Sequence, residues 1–325
     1  MLPTQIQLQE IPLSAVDFND HTFVVSPPHD LNRLLAPIKE VGLLAPPWLR
    51  ALPAGDCWQM VTGLKRLTAA AELGWERVPA LTLPAGAPDS HCLLIALFDN
   101  AFSRGFNLLE MAFFATRLLT HWDRQVVVAK FLPYLGLPPS AAHLDRLVAI
   151  FTLEPPLKEL AAQGRLALTA GAFLAGWDLK DRVAVLPFLK ELPFSQSKQE
   201  EFLEGLDLLA RRESTTRREI LSRTELKQYL LDKGRTPQER AEAVRRLLNR
   251  WVSPGLSAAR DAFGALLHRL GLRNHPRLRL QPPPAFEGPD FHLEIKFRDA
   301  PELEMLLEEI ARLTKQEEFH ILTSL

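Results

Sequence analysis

Apolar and polar residues alternate from Ile6 to Pro12, the period-two pattern of a half-buried strand. The spacing then lengthens: Leu31, Leu34, Leu35 and Ile38 share one face of a helix that Asp30 can cap and Gly42 can end. Pro47 to Leu52 and Trp58 to Val61 read as strands parted by the turn Pro53-Ala54-Gly55-Asp56. Gly63 opens a helix from Lys65 to Leu73, stopped by Gly74. Val78 to Leu83 is another strand, followed by the loop Pro84-Ala85-Gly86-Ala87-Pro88. This alternation of short elements predicts a small mixed α/β domain over 1–98.

From about 99 to 270 the pattern is helical. Asn107 followed by Glu110 is a start signal for a helix from Leu108 to Trp122. Thr236-Pro237-Gln238-Glu239 is a stronger one, with a cap, a proline at the first helical position and a glutamate two residues further, opening a helix to about Trp251. Residues 213–216 and 252–257 look like short breaks. Alternation then returns, with Phe291, Leu293, Ile295 and Phe297 set between His292, Glu294, Lys296 and Arg298. Leu278 and Leu280 suggest a partner strand across Pro282-Pro283-Pro284, and Asp299 with Glu302 caps an amphipathic helix through Leu303, Leu306, Leu307 and Ile310. Two strands and one helix cannot close a core alone, so this tail should pair with another copy or dock on the rest of the chain. The expected architecture is multi-domain and mostly α. A mixed α/β domain (1–98) precedes a helical domain (99–195), a basic helical segment (196–274) and a small strand-strand-helix element (275–325).

At 325 residues the chain exceeds one ordinary domain, and 47% hydrophobic with 24% charged residues excludes wholesale disorder. Cys57 and Cys92 are the only cysteines, which excludes a disulfide framework or a four-cysteine zinc site; beside Trp58 and Leu93 they read as buried, inert thiols. His21, His29, His91 and His121 lack metal-ligand spacing. With no signal-peptide pattern and no run near the ~20 apolar residues of a membrane span, the chain reads as soluble and cytoplasmic.

The net charge of −1 hides an uneven distribution: residues 196–280 hold 18 basic and 11 acidic residues, whereas 281–325 hold 4 and 10. Arg211, Arg212, Arg217, Arg218, Arg223, Lys227, Arg245, Arg246 and Arg250 carry most of the excess. Two readings stand: a solvated helix surface, or contact with a polyanion.

Two stretches carry candidate chemistry. In Met60-Val61-Thr62-Gly63-Leu64-Lys65-Arg66 a glycine joins strand to helix and two cations stand in the first helical turn. A helix N-terminus offers unpaired N–H groups and partial positive charge, the ingredients of a phosphate site. Cations there oppose the helix dipole and so need a reason to be present. In Phe98-Asp99-Asn100-Ala101-Phe102-Ser103-Arg104, Asp99 is suited to a divalent cation and Asn100 to positioning a water or phosphate oxygen. The bland alternatives are a tight turn with exposed basic residues and a helix end with a local Asp–Arg pair.

The order of motifs resembles the ParB-type partition proteins of the ParB/sulfiredoxin-like superfamily. It is carried by Ile11-Pro12-Leu13, Val16-Asp17-Phe18-Asn19, Ile38 to Pro46, Val61 to Ala70, Leu73 to Pro79 and Asp99-Asn100…Arg104…Leu108-Leu109-Glu110. The tail from Leu293 to Glu304 is similar to the family's self-association element. The resemblance covers about 1–150 well, the tail moderately and 196–270 hardly at all. It implies a CTP- and Mg²⁺-binding clamp that recognises a DNA site by a helix-turn-helix, closes around DNA and hydrolyses the nucleotide slowly. Gly63, Lys65 and Arg66 would then cradle phosphates, Asp99 would hold the metal, and Asn100, as the catalytic candidate, and Arg104 would line the site. The resemblance further implies a homodimer, nucleoid or plasmid association and a segregation or regulatory role, and leaves a partner ATPase open. This chain departs in three places. Asp20-His21-Thr22-Phe23 stands where the family has Gln-Pro-Arg, Leu64 replaces the acid of Gly-Glu-Arg-Arg, and Asp99 replaces the glutamate of Glu-Asn-x-x-Arg. Another nucleoside triphosphate, or binding without turnover, stays open.

The matching helix-turn-helix is Val126 to Phe151. Leu132-Pro133-Tyr134-Leu135-Gly136 closes its first helix, and Ser140, His143 and Arg146 begin the second, where base edges are met. The alternative is a structural hairpin. Arg245 and Arg246 are the DNA candidates of the basic segment. Two other readings belong to different classes: a superfamily phosphotransferase acting on free serine, and a degenerate scaffold without nucleotide turnover.

Overall fold

The structure, a computed structural model, describes residues 6–24, 31–53 and 56–324. His29, the cap Asp30 and the turn residues Ala54 and Gly55 lie outside the described residues. Two compact units are formed, Met1–Glu200 and Glu201–Leu325. The chain is mostly helical, with a small mixed sheet near its start and a two-stranded ribbon near its end.

The first unit opens with β1 (Gln7–Pro12), β2 (Val16–Asp17), α1 (Asn32–Val41), β3 (Trp48–Ala51), β4 (Trp58–Met60), α2 (Leu64–Glu72) and β5 (Arg77–Leu83). The sheet order is β1-β5-β3-β4-β2. β1 lies antiparallel to β5 with Ile11 opposite Val78, and β3 lies parallel to β5 with Leu49 opposite Thr82. Ile11, Leu49, Met60, Val78 and Ala80 of the sheet bury against Leu64, Leu67 and Ala70 of α2, whose three-residue spacing makes one apolar stripe.

α3 (Asp89–Ser103) contains neither glycine nor proline and buries Cys92, Leu93, Ala96 and Leu97. It therefore runs unbroken through 98/99, and Asp99 and Asn100 sit in its last turns. α4 (Leu108–Leu118) starts on a complete capping box between Asn107 and Glu110 and closes earlier than Trp122 through three-residue turns. The first helix of the expected helix-turn-helix is irregular. α5 (Arg124–Val126) passes into a π-helical turn at Val127–Phe131 and a 3₁₀ turn at Leu132–Leu135, ended by Gly136 at φ 79°. β-branched Val126-Val127-Val128 favour a helix weakly, and Pro133 has no N–H to donate, so a regular ladder is not sustained. α6 (Ala141–Phe151), α7 (Pro155–Ala162), α8 (Leu168–Ala175), α9 (Leu179–Glu191) and α10 (Gln196–Arg212) follow. α6 packs on α4 and α8 through Leu144, Leu147 and Ile150. At the α6–α8 crossing a Cβ on Gly171 would come within 2.9 Å of the Ile150 side chain.

The second unit continues with α11 (Arg217–Leu221), α12 (Thr224–Leu231), α13 (Pro237–Val252) and α14 (Pro254–Arg269). α13 has the capping box expected at Thr236. The break expected over 252–257 shrinks to Ser253, because Pro254 serves as the first residue of α14. β6 (Leu278–Gln281) pairs antiparallel with β7 (His292–Ile295), followed by α15 (Ala300–Leu313), capped by Asp299, and α16 (Glu317–Leu322). The ribbon and α15 close a core within the unit: Leu278, Leu280, Leu306 and Leu313 meet Phe263 and Leu266 of α14, Leu270 just after it and Leu322 of α16.

Candidate functional site

At the end of β4 the N–H groups of Val61 and Thr62 both donate to Trp48 O, at 2.9 and 3.1 Å, so the chain leaves the sheet sharply. Gly63 makes the turn at φ 92°, where an ideal Cβ would stand 2.6 Å from Pro47 Cβ. Only glycine fits both the backbone angle and the approach. The first amides of α2 then face outward without intrahelical partners. They border a cavity of about 360 Å³ that the last turns of α3, the start of α4 and the loop residues Phe23 and Val24 enclose from the other sides.

Gly63, Lys65, Arg66, Asp99, Asn100 and Arg104, read from two stretches over thirty residues apart, all line this one cavity. Their bonds differ. Arg66 donates from Nη1 to Ala45 O at 2.6 Å and from Nη2 to Asp99 Oδ2 at 3.1 Å. Arg104 donates to both oxygens of Glu110, at 2.9 and 2.7 Å, and from Nε to Asn100 Oδ1 at 3.2 Å. Asn100 spends its Nδ2 on Ala96 O at 2.8 Å, so both ends of its amide are engaged within the helix end. Lys65 is exposed and forms no hydrogen bond or ion pair among the described residues.

Magnitudes separate the two arginines. The Arg66–Asp99 pair is partly exposed on both sides, and such pairs are worth about 1 kcal/mol or less. Arg66 can therefore exchange its partner for another anion at small cost. Glu110 is 2% exposed, and stripping the partner from a buried charge costs about 3 kcal/mol or more. Arg104 is thus a structural strut more than an available ligand.

The cavity fits an oxyanion. Thr62 Oγ1 is buried with no partner among the described residues, Gly63 leaves a place that a Cβ would fill, and three cations face two carboxylates. For a metal the donors are few. Among the described residues no three His, Cys, Asp or Glu stand together, so a divalent cation at Asp99 would draw its remaining ligands from phosphate oxygens and water.

The sequence pointed less clearly to a second cluster beside the cavity. Arg50, alone among apolar neighbours in β3, donates to Gln59 Oε1 at 2.8 Å, Ala87 O at 2.7 Å and Asp89 Oδ1 at 2.6 Å, and lies over the Phe23 ring at 5.3 Å. Gln59 in turn donates to Asp20 Oδ2 at 2.6 Å. Burial opposes the charge on Asp20, yet hydrogen bonds from Thr22 and Gln59 and the Arg50 charge hold its carboxyl below the usual range. This network pins the Asp20–Phe23 loop to the cavity wall. One cation in an apolar strand opposite a glutamine was its sequence signal. Burial raises the Cys92 thiol to about 11, so it is inert; Cys57 is half-buried.

At the start of α6, Ser140 just before the helix and His143 and Arg146 within it are half-buried. His143 Nδ1 lies 3.3 Å from Pro138 O, and Arg124 bridges Asp145 at 2.6 Å. In the second unit Arg245 donates to Glu201 at 3.1 Å and Glu242 at 2.7 Å with 17% of its side chain exposed, whereas Arg246 is 76% exposed. Arg211 and Arg217 share buried Asp207, Arg223 takes Glu213 and the Trp251 ring, and Arg212 donates to the carbonyls of Trp251 and Val252. Among the described residues no helix is long and apolar enough to cross a membrane.

Residues 3–101 match the family described as ParB N-terminal domain. The chain is 31% identical to the chromosome-partitioning protein Spo0J of Thermus thermophilus, in a match that covers 48% of this chain and 64% of that relative's length. Among solved structures it is similar to C-terminally truncated ParB of Caulobacter crescentus complexed to the centromeric parS site, at 20% identity and TM-score 0.35, covering 60% of this chain and 98% of that one. The same Caulobacter protein complexed with CTP-γ-S gives 22% identity and TM-score 0.26, over 57% and 99%.

Proposed function

We propose, from the match of residues 3–101 to the ParB N-terminal domain, that this chain is a DNA-binding partition or regulatory protein gated by a nucleoside triphosphate. The observation that carries the reading is the single cavity joining the head of α2 to Asp99 on α3. In it, the first amides of α2, Lys65 and Arg66 receive the phosphates of CTP or another nucleoside triphosphate. Asp99 would hold a Mg²⁺, which would supply positive charge to offset the polyphosphate beside Glu110. The match to the chromosome-partitioning relative of Thermus thermophilus supports the partition half of the reading.

Ser140, His143 and Arg146 on α6 meet DNA bases, and the exposed Arg246 contributes to backbone contact in the basic segment 196–274. The element 275–325 joins two copies. Its core is completed by α14, while Leu293, Phe297, Met305 and Leu307 are exposed, apolar surface that a second copy would cover. Sedimentation at micromolar concentration checks this: a mass of 36.6 kDa, that of one chain, would refute self-association. The engaged amide of Asn100 and the absent Gln-Pro-Arg favour a gate that binds and releases nucleotide with little hydrolysis.

Calorimetry with each of the four nucleoside triphosphates and Mg²⁺, with and without genomic DNA fragments, tests the whole. One triphosphate should bind, and Arg66→Ala should weaken it by at least about tenfold, the size of one charge-assisted hydrogen bond. Unaltered affinity in Arg66→Ala would remove that residue from the site.

A further inference from the structure

Thr62 lies between β4 and the turn at Gly63, is 3% exposed and lines the cavity. Its backbone N–H is used by Trp48 O at 3.1 Å, but its Oγ1 has no hydrogen-bond partner among the described residues. A buried hydroxyl left without a partner burdens the fold, and valine has the same shape without that burden. The position of the hydroxyl gives a reason for keeping it. It adjoins a turn where the backbone comes too close to Pro47 for any Cβ, the first amides of α2 follow at once, and Lys65, exposed on the same rim, has no ion-pair partner among the described residues. These are independent marks of a place built to be completed by acceptor oxygens, since a hydroxyl, backbone amides and an ammonium all donate.

We propose that Thr62 is an anion-binding residue of this cavity, its hydroxyl donating to an oxygen of the polyphosphate received at the head of α2. The inference rests on the phosphate reading of the cavity and adds to it a donor outside the glycine-cation motif. Thr62 thereby trades stability of the unliganded fold for affinity, so its removal should move the two in opposite directions. A purely structural residue would lower both.

The test uses the full chain with two probes, CTP and inorganic tripolyphosphate, each with Mg²⁺, titrated by calorimetry, together with thermal unfolding of the free protein. Thr62→Val, which keeps the shape and loses the hydroxyl, should bind the probes about tenfold more weakly while melting no lower than the parent chain. Thr62→Ser, which keeps the hydroxyl, should stay within about threefold of the parent affinity. Parent-like binding by Thr62→Val overturns the proposal, and so does a loss of binding accompanied by a lower melting temperature or failure to fold, which would make Thr62 structural. If the parent chain binds neither probe, the phosphate reading fails and the proposal with it. If the parent binds and Thr62→Val binds equally, only the proposal fails.

Discussion

Arginines do different work in the two units. Beside the cavity of the first, Arg66 rests on a partly exposed aspartate and Lys65 on no partner among the described residues, so positive charge stays available. In the second, where basic residues are most numerous, Arg245 is held by Glu201 and Glu242, Arg217 by Asp207, Arg223 by Glu213 and Trp251, and Arg212 by two carbonyls. A local excess of cations thus locates helices that are fastened to one another as readily as it locates a polyanion site. Exposed and weakly held charge, such as Arg246 with Glu242 at 3.4 Å, rather than the density of charge, marks the candidate contact.

That contrast can be broken in two places. The largest effect is expected at Gly63. Gly63→Ala forces a Cβ against Pro47 at a positive φ, a strain of about 1–3 kcal/mol. It should both lower the urea midpoint and reduce triphosphate affinity by more than about tenfold. An alanine variant that binds as the parent does would show that the head of α2 is not where the anion is held. A smaller effect separates two neighbours on α13. Arg245→Ala should cost about 1–2 kcal/mol in denaturant unfolding and leave the salt dependence of DNA binding unchanged. Arg246→Ala should leave stability within about 0.5 kcal/mol and reduce the slope of log affinity against log salt by about 1. The opposite assignment, measured by filter binding over a salt series, would make the fastened arginine the DNA contact.

What the sequence revealed was what short range decides. The caps at Asn107, Thr236 and Asp299 act on amides three residues away, and the alternation from Ile6 to Pro12 has a period of two within a few residues. The cavity itself was legible because each of its two walls carries its residues in a compact run. Long-range pairing was not legible: Glu201 lies 44 residues from Arg245, and nothing local tells a fastened arginine from an available one. Nor could spacing show that Arg104 belongs to a buried Glu110, that Arg50 ties three segments together, or that α14 would complete the core of the tail. The irregular helix before α6 is a conflict between weak local preference and burial of Val127, Phe131 and Leu132, which tertiary packing settled.

Glu110 has a mechanical consequence. A turn between two helices is ordinarily the place where a chain bends most easily. Across 104–107, however, Glu110 accepts both arms of Arg104 and the N–H of Asn107, while Asn107 accepts the N–H of Glu110. Flexing there means rupturing four bonds together, three of them at a carboxylate shut away from water. The wall of the cavity that carries Asp99 is consequently riveted to α4, and any motion that opens or narrows the cavity must come from the side of α2 or of the Phe23 loop.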